Sequence, residues 1–464
     1  MSQRTKKLAI TIVKWTIAIG GMAWVLSQMS LWDRVFVLNP ATNLPQGAHL
    51  ATAATETDAE FHVLDPQTRL PTTVPADQVL NPATSRKLVV PLDGKEEQVE
   101  LLGMRLDGDI NHNPTVRQLL VKVGDPPHGV WIEPSQVKGG YVLDVPRPKI
   151  EEGIISMVHR ADVSLLVLAM LVFPTTFLIT SFRWHKMLQL VDVNIGFARA
   201  FVITMVGAFY NSFMPGSVGG DVFKMYYVAK QTPHRTRAVV SVFIDRVIGL
   251  LALVILGGVM ATYQYLTAAN KATAMAQACL RVSIGSVLIF VLTGVGMAII
   301  FQPTIRKILG LEFLLSRLPM QAQIEKAREV TRIYRAHPIL MFWMLVITLP
   351  VHLTVALSTM LCGQAFDLSI DPLYYFTIVP VIVLVGAIPI SPQGAGVMEF
   401  FAVMLTQPLG ATVSEAFVIT MSIRVVQILW NLTGGIFVFR GGYHAPTESE
   451  QKELNESDDP PPNA

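Results

Sequence analysis

NSFMPGSVGGDVFK, running from Asn211 to Lys224, places one proline and three glycines in the middle of an apolar run that extends from Phe197 to Val228. Proline removes a helical hydrogen bond, and glycine weakens a helix by roughly 1 kcal/mol. The run therefore reads as two half-helices joined at a break. Its flanks say where the two ends go. Arg183, His185 and Lys186 precede it and the basic loop 230–237 follows it, and loops rich in Lys and Arg stay in the cytoplasm. Two ends on one side predict a re-entrant hairpin that enters from the cytoplasm and returns there.

A second stretch repeats the pattern. IPISPQGAGVMEF, Ile388 to Phe400, lies at the centre of the apolar run from Leu373 to Thr406. The linkers around Thr267 and Asp367 are nearly free of Lys and Arg, which puts them outside. The second run lies between an outside linker and an outside start of the last helix, so its hairpin enters from the opposite face. Non-helical backbone at membrane depth is tolerated only where it is buried in protein or lines a cavity. Paired, interrupted segments of opposite orientation are the sequence mark of a transporter site built on inverted repeats. The competing reading is that Gly and Pro only let helices pack closely; two opposed breaks favour a site.

Composition supports a chain built for lipid. Hydrophobic residues make up 51% of the 464 and charged residues 15%, against the roughly 25% usual in soluble proteins. Mean hydropathy is +0.46. Besides the two broken runs, six apolar stretches start near Leu8, Leu165, Val239, Val282, Leu340 and Ala411. They are predicted to cross a bilayer core of about 30 Å. The expected fold is an α-helical polytopic membrane protein of about six spanning helices plus two opposed re-entrant hairpins, with an inserted β-rich extracytoplasmic domain. A net charge of +2 and no basic, aromatic-laced patch exclude a nucleic-acid partner. Two cysteines, Cys279 and Cys362, exclude a disulfide framework and read as packing residues.

Arg4, Lys6 and Lys7 precede the first apolar run, and no small-residue cleavage site stands before Asp33, so residues 1–32 read as a retained signal-anchor with the N-terminus inside. The exported segment 33–155 holds short runs bounded by Gly, Pro and Asp: KLVVPLDG, QVELLGMRLDG, QLLVKVG, GVWIEP and GYVLDV. These predict strands. Asn39 to Thr84 is expected to be an irregular loop. His62, His112 and His128 are scattered and form no metal or catalytic constellation. The membrane region is 156–443. Within it, Arg306 to Arg335 predicts a charged helix lying on the cytoplasmic surface through Ile324, Ala327 and Ile333. The acidic, Pro-rich tail 444–464 predicts disorder with the C-terminus inside.

Ionisable residues at membrane depth mark a functional site or a structural pair. Asp221 and Lys224 are three apart and share a helix face after Gly219-Gly220, where free N–H groups at a helix start suit a phosphate. The plainer reading makes Asp221 an N-cap and Lys224 a snorkelling side chain. Asp245 and Arg246 point about 100° apart, so each is expected to pair with another helix. Arg424, Gln427 and Asn431 form a polar stripe on the last helix, and Glu399 is the natural partner of Arg424. Arg183 and Trp184 read as boundary anchors, with contact to an entering headgroup as the second role of Arg183. The candidate substrate-binding set also includes Asn211, Pro215 and Gly216 in the first break and Pro392, Gly394 and Gly396 in the second.

Arg183-Trp184, the two broken blocks, VVSVFIDRVIGLLAL (Val239 to Leu253), and Arg424 with Gly434-Gly435 together resemble the lysylphosphatidylglycerol synthase transmembrane-region family. This is the flippase-like domain of bacterial multiple-peptide-resistance factors, and the resemblance runs from about Val163 to Gly442. It implies a multi-pass protein of the bacterial cytoplasmic membrane that moves a lipid or lipid-linked headgroup between leaflets. The exported insert is longer than the resemblance leads one to expect, and only a short tail follows the last helix, so lipid aminoacylation is not implied. Expected partners are membrane lipids with anionic or phosphate-bearing headgroups; a protein partner for 33–155 is left open. No cofactor and no metal are expected, since the chain carries neither a P-loop nor an HExxH spacing. Two other functions compete. One is a membrane enzyme on a lipid headgroup with Asp221, Asp245 and Glu399 as acid/base groups; the other is an anchor that presents the exported domain.

Overall fold

A computed structural model describes residues 16, 19–92, 95–107, 114–138, 141, 147–213, 219–301, 330, 332–368, 370–388, 391–440 and 443. The predicted surface helix of 306–335 and the tail 444–464 lie almost wholly outside these residues, as does most of the first apolar run, of which residues 19–28 are helical (α1).

The region after α1 is a nine-stranded antiparallel sheet. Its strands are β1 (Arg34–Leu38), β2 (Pro45–Leu50), β3 (Glu60–Leu64), β4 (Pro71–Pro75), β5 (Val79–Leu92), β6 (Lys95–Asp107), β7 (Thr115–Val123), β8 (His128–Ile132) and the short β9 (Ile150–Glu151). The order is β4-β3-β2-β1-β5-β6-β7-β8, with β9 added to β1. KLVVPLDG, QVELLGMRLDG, QLLVKVG and GVWIEP fall on β5 to β8 as expected, whereas GYVLDV lies largely outside the described residues. The expected irregular loop from Asn39 to Thr84 is corrected: it contains β2, β3, β4 and the start of β5. In β3 the alternation of Phe61 and Val63 inward with Glu60 and His62 outward gives one apolar face. A register shift between Pro82 and Arg86 breaks the β5–β6 ladder. It separates a core around Phe61 and Val63 from one around Leu101, Leu119 and Val121.

Segments flanking the sheet are fastened to the helical region at Ala411 and Ser414. Ser30 N–H donates to Ser414 Oγ at 3.0 Å, and the Arg147 guanidinium donates to the carbonyl of Ala411 at 2.8 Å. Burial pulls the Arg147 pKa below its ordinary value, with Glu151 and Glu415 opposing the shift.

The helices that follow are α2 (Ile154–Arg160), α3 (Val163–Val172), α4 (Thr175–Leu190), α5 (Phe197–Phe213), α6 (Gly219–Ala229), α7 (Arg235–Thr267), α8 (Ala274–Phe301), α9 (Pro338–Ala365), α10 (Tyr375–Gly386), α11 (Val397–Thr406), α12 (Val413–Thr433) and α13 (Gly435–Phe439). Among the described residues, five segments are long and apolar enough to cross a membrane: Val163–Leu190, Arg235–Thr267, Ala274–Gly296, Pro338–Ala365 and Val413–Phe439. Their outer faces expose Leu171, Val287, Leu288, Leu292 and Phe342, a surface for which lipid rather than water is the solvent. The chain is a polytopic membrane protein with a β-rich domain.

Neither broken run is a single long helix. Each is two helices folded back on each other, α5 with α6 and α10 with α11. One buried cluster forms around α5 and α6 (Ile203, Val206, Phe223, Tyr227), another around α10 and α11 (Ile378, Ile382, Ala402, Val403). Helices α7 and α9 run from one cluster to the other, through Val242 and Ala261 and through Met344 and Ala356.

Within the first pair the backbones touch. A Cβ on Gly207 would sit 2.9 Å from the Gly220 carbonyl oxygen, and one on Gly220 would overlap the Gly207 carbonyl outright. Tyr210 and Phe223 stack at 3.7 Å beside this crossing. Gly220→Ala is expected to wedge α5 from α6 and to destabilise by about 1–3 kcal/mol. Gly285→Ala, whose Cβ meets nothing within 4 Å, serves as the neutral control. Thermal midpoints of the two variants in detergent check this.

Candidate functional site

The long helix α7 presents two adjacent charges to different neighbours. Asp245 is buried and accepts from Arg183 Nε at 2.9 Å, with Arg183 Nη2 at 2.8 Å and Lys224 Nζ at 3.3 Å. Arg183 also donates to Thr348 Oγ1 at 2.6 Å and to the Asp245 carbonyl at 3.3 Å. Lys224 Nζ lies 4.0 Å over the Trp184 ring, whose Nε1 donates to Ser241 Oγ at 3.2 Å. All three charged groups are buried. A charge withdrawn from water survives only with partners, and here one carboxylate serves two cations. The aromatic face supplies part of what Lys224 lacks.

The expectation for Arg183 and Trp184 is thereby corrected. They are not boundary anchors: Trp184 is fully buried and Arg183 is locked to α7 and α9. Lys224 does not snorkel, because its ammonium turns into the protein toward Asp245. Asp221 is not an N-cap but the third residue of α6.

Arg246 faces the other way. Its Nη1 is paired with Asp221 Oδ2, and its Nη2 donates to the carbonyl of Ala387, just past α10, at 3.3 Å. Asp221 and Lys224 of α6 therefore meet Arg246 and Asp245 of α7 in a reciprocal arrangement. The expectation that Asp245 and Arg246 pair with other helices rather than each other matches this geometry. A second bridge joins α11 to α12: Arg424 Nη2 lies 2.9 Å from Glu399 Oε1 and 3.2 Å from Oε2. Glu399 Oε2 also accepts the Gly396 N–H at 2.7 Å, which closes the first turn of α11 on its own carboxylate.

The end of α5 reaches the second break. Gln393 Nε2 donates to the Ser212 carbonyl at 3.3 Å, and Asn431 Nδ2 donates to Ser212 Oγ at 3.1 Å. The end of α5, the second break and the last long helix thus meet at one polar junction. Its backbone is strained in a way glycine permits: Gly394 and Gly396 have φ of 70° and 81°, and Gln393 follows at 49°. A Cβ on Gly21 of α1 would lie 2.7 Å from the Gly396 carbonyl, and Trp24 meets Phe400 edge-on at 5.6 Å, so α1 packs on the second break.

The remaining candidates sort as follows. Asn211 lies against Gly220, and its Oδ1 is buried with no partner among the described residues. Gly219 and Gly220 open α6, and Pro392 opens the short turn that contains Gly394. Gln427 is half-buried, with no side-chain bond among the described residues. Pro215 and Gly216 lie outside those residues. Sequence reasoning missed Thr348, Ser241, Ser212 and Gln393. The last two stand inside the quoted blocks, where a polar residue beside a helix break was the signal; Thr348 offered none. No group of three His, Cys, Asp or Glu that could hold a metal occurs among the described residues.

Comparison with known proteins agrees with the membrane architecture. The family model described as "Lysylphosphatidylglycerol synthase TM region" matches residues 152–435. The match covers more than half of the chain, and the chain belongs to this family. It is also similar to the UPF0104 membrane protein PH1989 of Pyrococcus horikoshii, 27% identical over 107 residues, which are 22% of this chain. The aligned part spans 32% of that relative's length.

Asp245→Asn leaves Arg183 and Lys224 buried without a counter-charge and is expected to destabilise by about 3–5 kcal/mol. Lys224→Met keeps the Arg183–Asp245 pair neutral and is expected to cost clearly less. Folded yield and thermal midpoint in detergent measure both; equal losses would contradict the assignment of Asp245 as the shared partner.

Proposed function

We propose that the protein moves the polar headgroup of a lipid or lipid-linked molecule between leaflets, along a path between α5–α6 and α10–α11. The observation that carries this reading is the meeting of two Gly/Pro-broken helix pairs at the Ser212–Gln393–Asn431 junction, with ion pairs on both sides of it. In this reading the two pairs are re-entrant hairpins of opposite orientation, and about six helices span the bilayer. Irregular backbone at that depth is stable where it lines a path for a polar group. Acyl chains stay in the bilayer, so only the headgroup needs protein around it.

The substrate class is an anionic, phosphate-bearing headgroup. Two buried cations share one carboxylate at Asp245, which leaves the interior with excess positive charge. Membership in the family supports the membrane setting, and the flippase-like reading extends it. The chain divides into an anchor helix (1–32), an extracytoplasmic β-rich domain (33–155), the transport domain (156–443) and a cytoplasmic tail (444–464). Both termini face the cytoplasm across a bacterial cytoplasmic membrane, and the outward domain offers a surface for a protein partner. Transport is favoured over catalysis because Asp221, Asp245 and Glu399 are each committed to an ion pair rather than poised as acid or base.

Reconstitution with fluorescent phosphatidylglycerol, followed by a leaflet-accessibility assay, tests this. Wild-type protein should transfer label well above the rate of protein-free liposomes. Asp245→Asn, where it folds, should return transfer to that background. Wild-type transfer equal to protein-free liposomes sinks the reading, and conversion of the lipid to a new product would point to an enzyme.

A further inference from the structure

The two halves of the helical domain carry the same bridge in the same register. Asp221 stands in the first described turn of α6, and Glu399 in the first turn of α11. Arg246 is the twelfth residue of α7 and Arg424 the twelfth of α12. In both pairs 25 residues separate carboxylate from guanidinium. Each carboxylate stands in the first turn of a helix leaving a glycine-rich break, and each arginine stands deep in the long helix that follows. Two matching positions at one common spacing are what a duplicated unit leaves behind.

The halves differ in two informative ways. Lys224 and Asp245 correspond to Ala402 and Ile423, so the Arg183 clamp belongs to the first half alone. The bridges also differ in access: the side chains of Asp221 and Arg246 are each 26% exposed, whereas Glu399 is 0% and Arg424 11% exposed. In the closed bridge, Arg424 Nε is buried with no hydrogen-bond partner among the described residues. It is a donor still without an acceptor.

We infer that Arg246 and Arg424 are two equivalent half-sites for one phosphate-bearing anion, each capped by its own carboxylate and used in turn. This rests on the headgroup-transfer reading above. A guanidinium donates to carboxylate and to phosphate alike, so exchange of one for the other leaves no arginine unpaired. The displaced carboxylate needs water or another partner. Asp221 stands on an accessible face, so the first half-site is the one placed to exchange in this conformation. Glu399 does not, so the second is sealed until α11 and α12 separate. Arg246 also holds the Ala387 carbonyl of the second helix pair, so an anion arriving at the first half-site loosens a contact of the second.

The test uses the full-length chain and two independent readouts. Binding is read as the thermal-midpoint shift in detergent caused by short-chain phosphatidylglycerol, inorganic phosphate or short-chain diacylglycerol. Transfer is read in proteoliposomes. Arg246→Gln and Arg424→Gln should each weaken phosphatidylglycerol binding by roughly tenfold, with diacylglycerol inert throughout. Arg246→Lys and Arg424→Lys, which keep the charge and lose the fork, give the same comparison if the Gln variants do not fold. The double swaps Asp221→Arg/Arg246→Asp and Glu399→Arg/Arg424→Asp should recover the thermal midpoint of the unliganded protein and not recover transfer. Recovery of both would make the bridges structural and overturn the inference. A loss of binding confined to one arginine would overturn the equivalence. Shifts by inorganic phosphate as large as those by the lipid keep the half-sites and assign them to the free anion. If wild-type transfer is absent while binding still depends on both arginines, the transport reading fails and the half-sites stand.

Discussion

Asp245 and Arg246 are adjacent on one helix, and the direction each takes organises the helical domain. An α-helix turns about 100° per residue, so neighbouring charges cannot share a partner. Asp245 collects Arg183 from α4 and Lys224 from α6, and Arg246 collects Asp221 from α6 and a carbonyl just past α10. Three parts of the chain are tied to α7 by two residues. The contacts of Asp245 are buried, and none of them is optional, because each group released would stand alone in low dielectric. The clamp orients α6, and with it the break that precedes it.

Close helix approach and broken helices are two uses of the same residue types here. Gly207 and Gly220 remove the side chains that would hold α5 and α6 apart, which is the packing reading of glycine in membranes. Gly394 and Gly396 instead supply backbone angles that let the chain reverse beside the Ser212 carbonyl. Close packing and a broken helix are therefore both present, at different glycines. Membership in the lysylphosphatidylglycerol synthase transmembrane-region family accounts for the helical part, and the nine-stranded sheet is fastened to it through Ser414 and Ala411 at the start of α12. Movement of α12, which carries Arg424 and Asn431, is in this way connected to the sheet.

Much of the candidate site was legible because intramembrane charge is rare enough to stand out in a one-dimensional reading. Glu399 with Arg424, and the outward pairing of Asp245 and Arg246, follow from depth and helical phase alone. Arg183 was misread for the complementary reason. At the end of an apolar run, an arginine next to a tryptophan has the composition of an interface belt. Its burial depends on Asp245, 62 residues away, and on Thr348, 165 residues away. The strands β2 to β4 were missed because they are short, at five or six residues. They take their order from pairing with neighbours rather than from their own propensity.

The amino-acid sequence by itself determined what is local or compositional: the apolar stretches long enough for lipid, the two breaks, the strands with clear alternation, and the charges that need partners. These follow from solvation and helix geometry, which act on a segment wherever it ends up. Tertiary structure alone decided which partners were chosen, that two cations share Asp245, and that the end of α5 meets the second break at Ser212. It also decided that one of two register-matched bridges is accessible while the other is sealed. Those are long-range choices, set by how helices cross and by what each crossing leaves buried. The positions of the two breaks are written in glycine and proline, and the contact between the end of α5 and the second break is owed to the packing of the bundle.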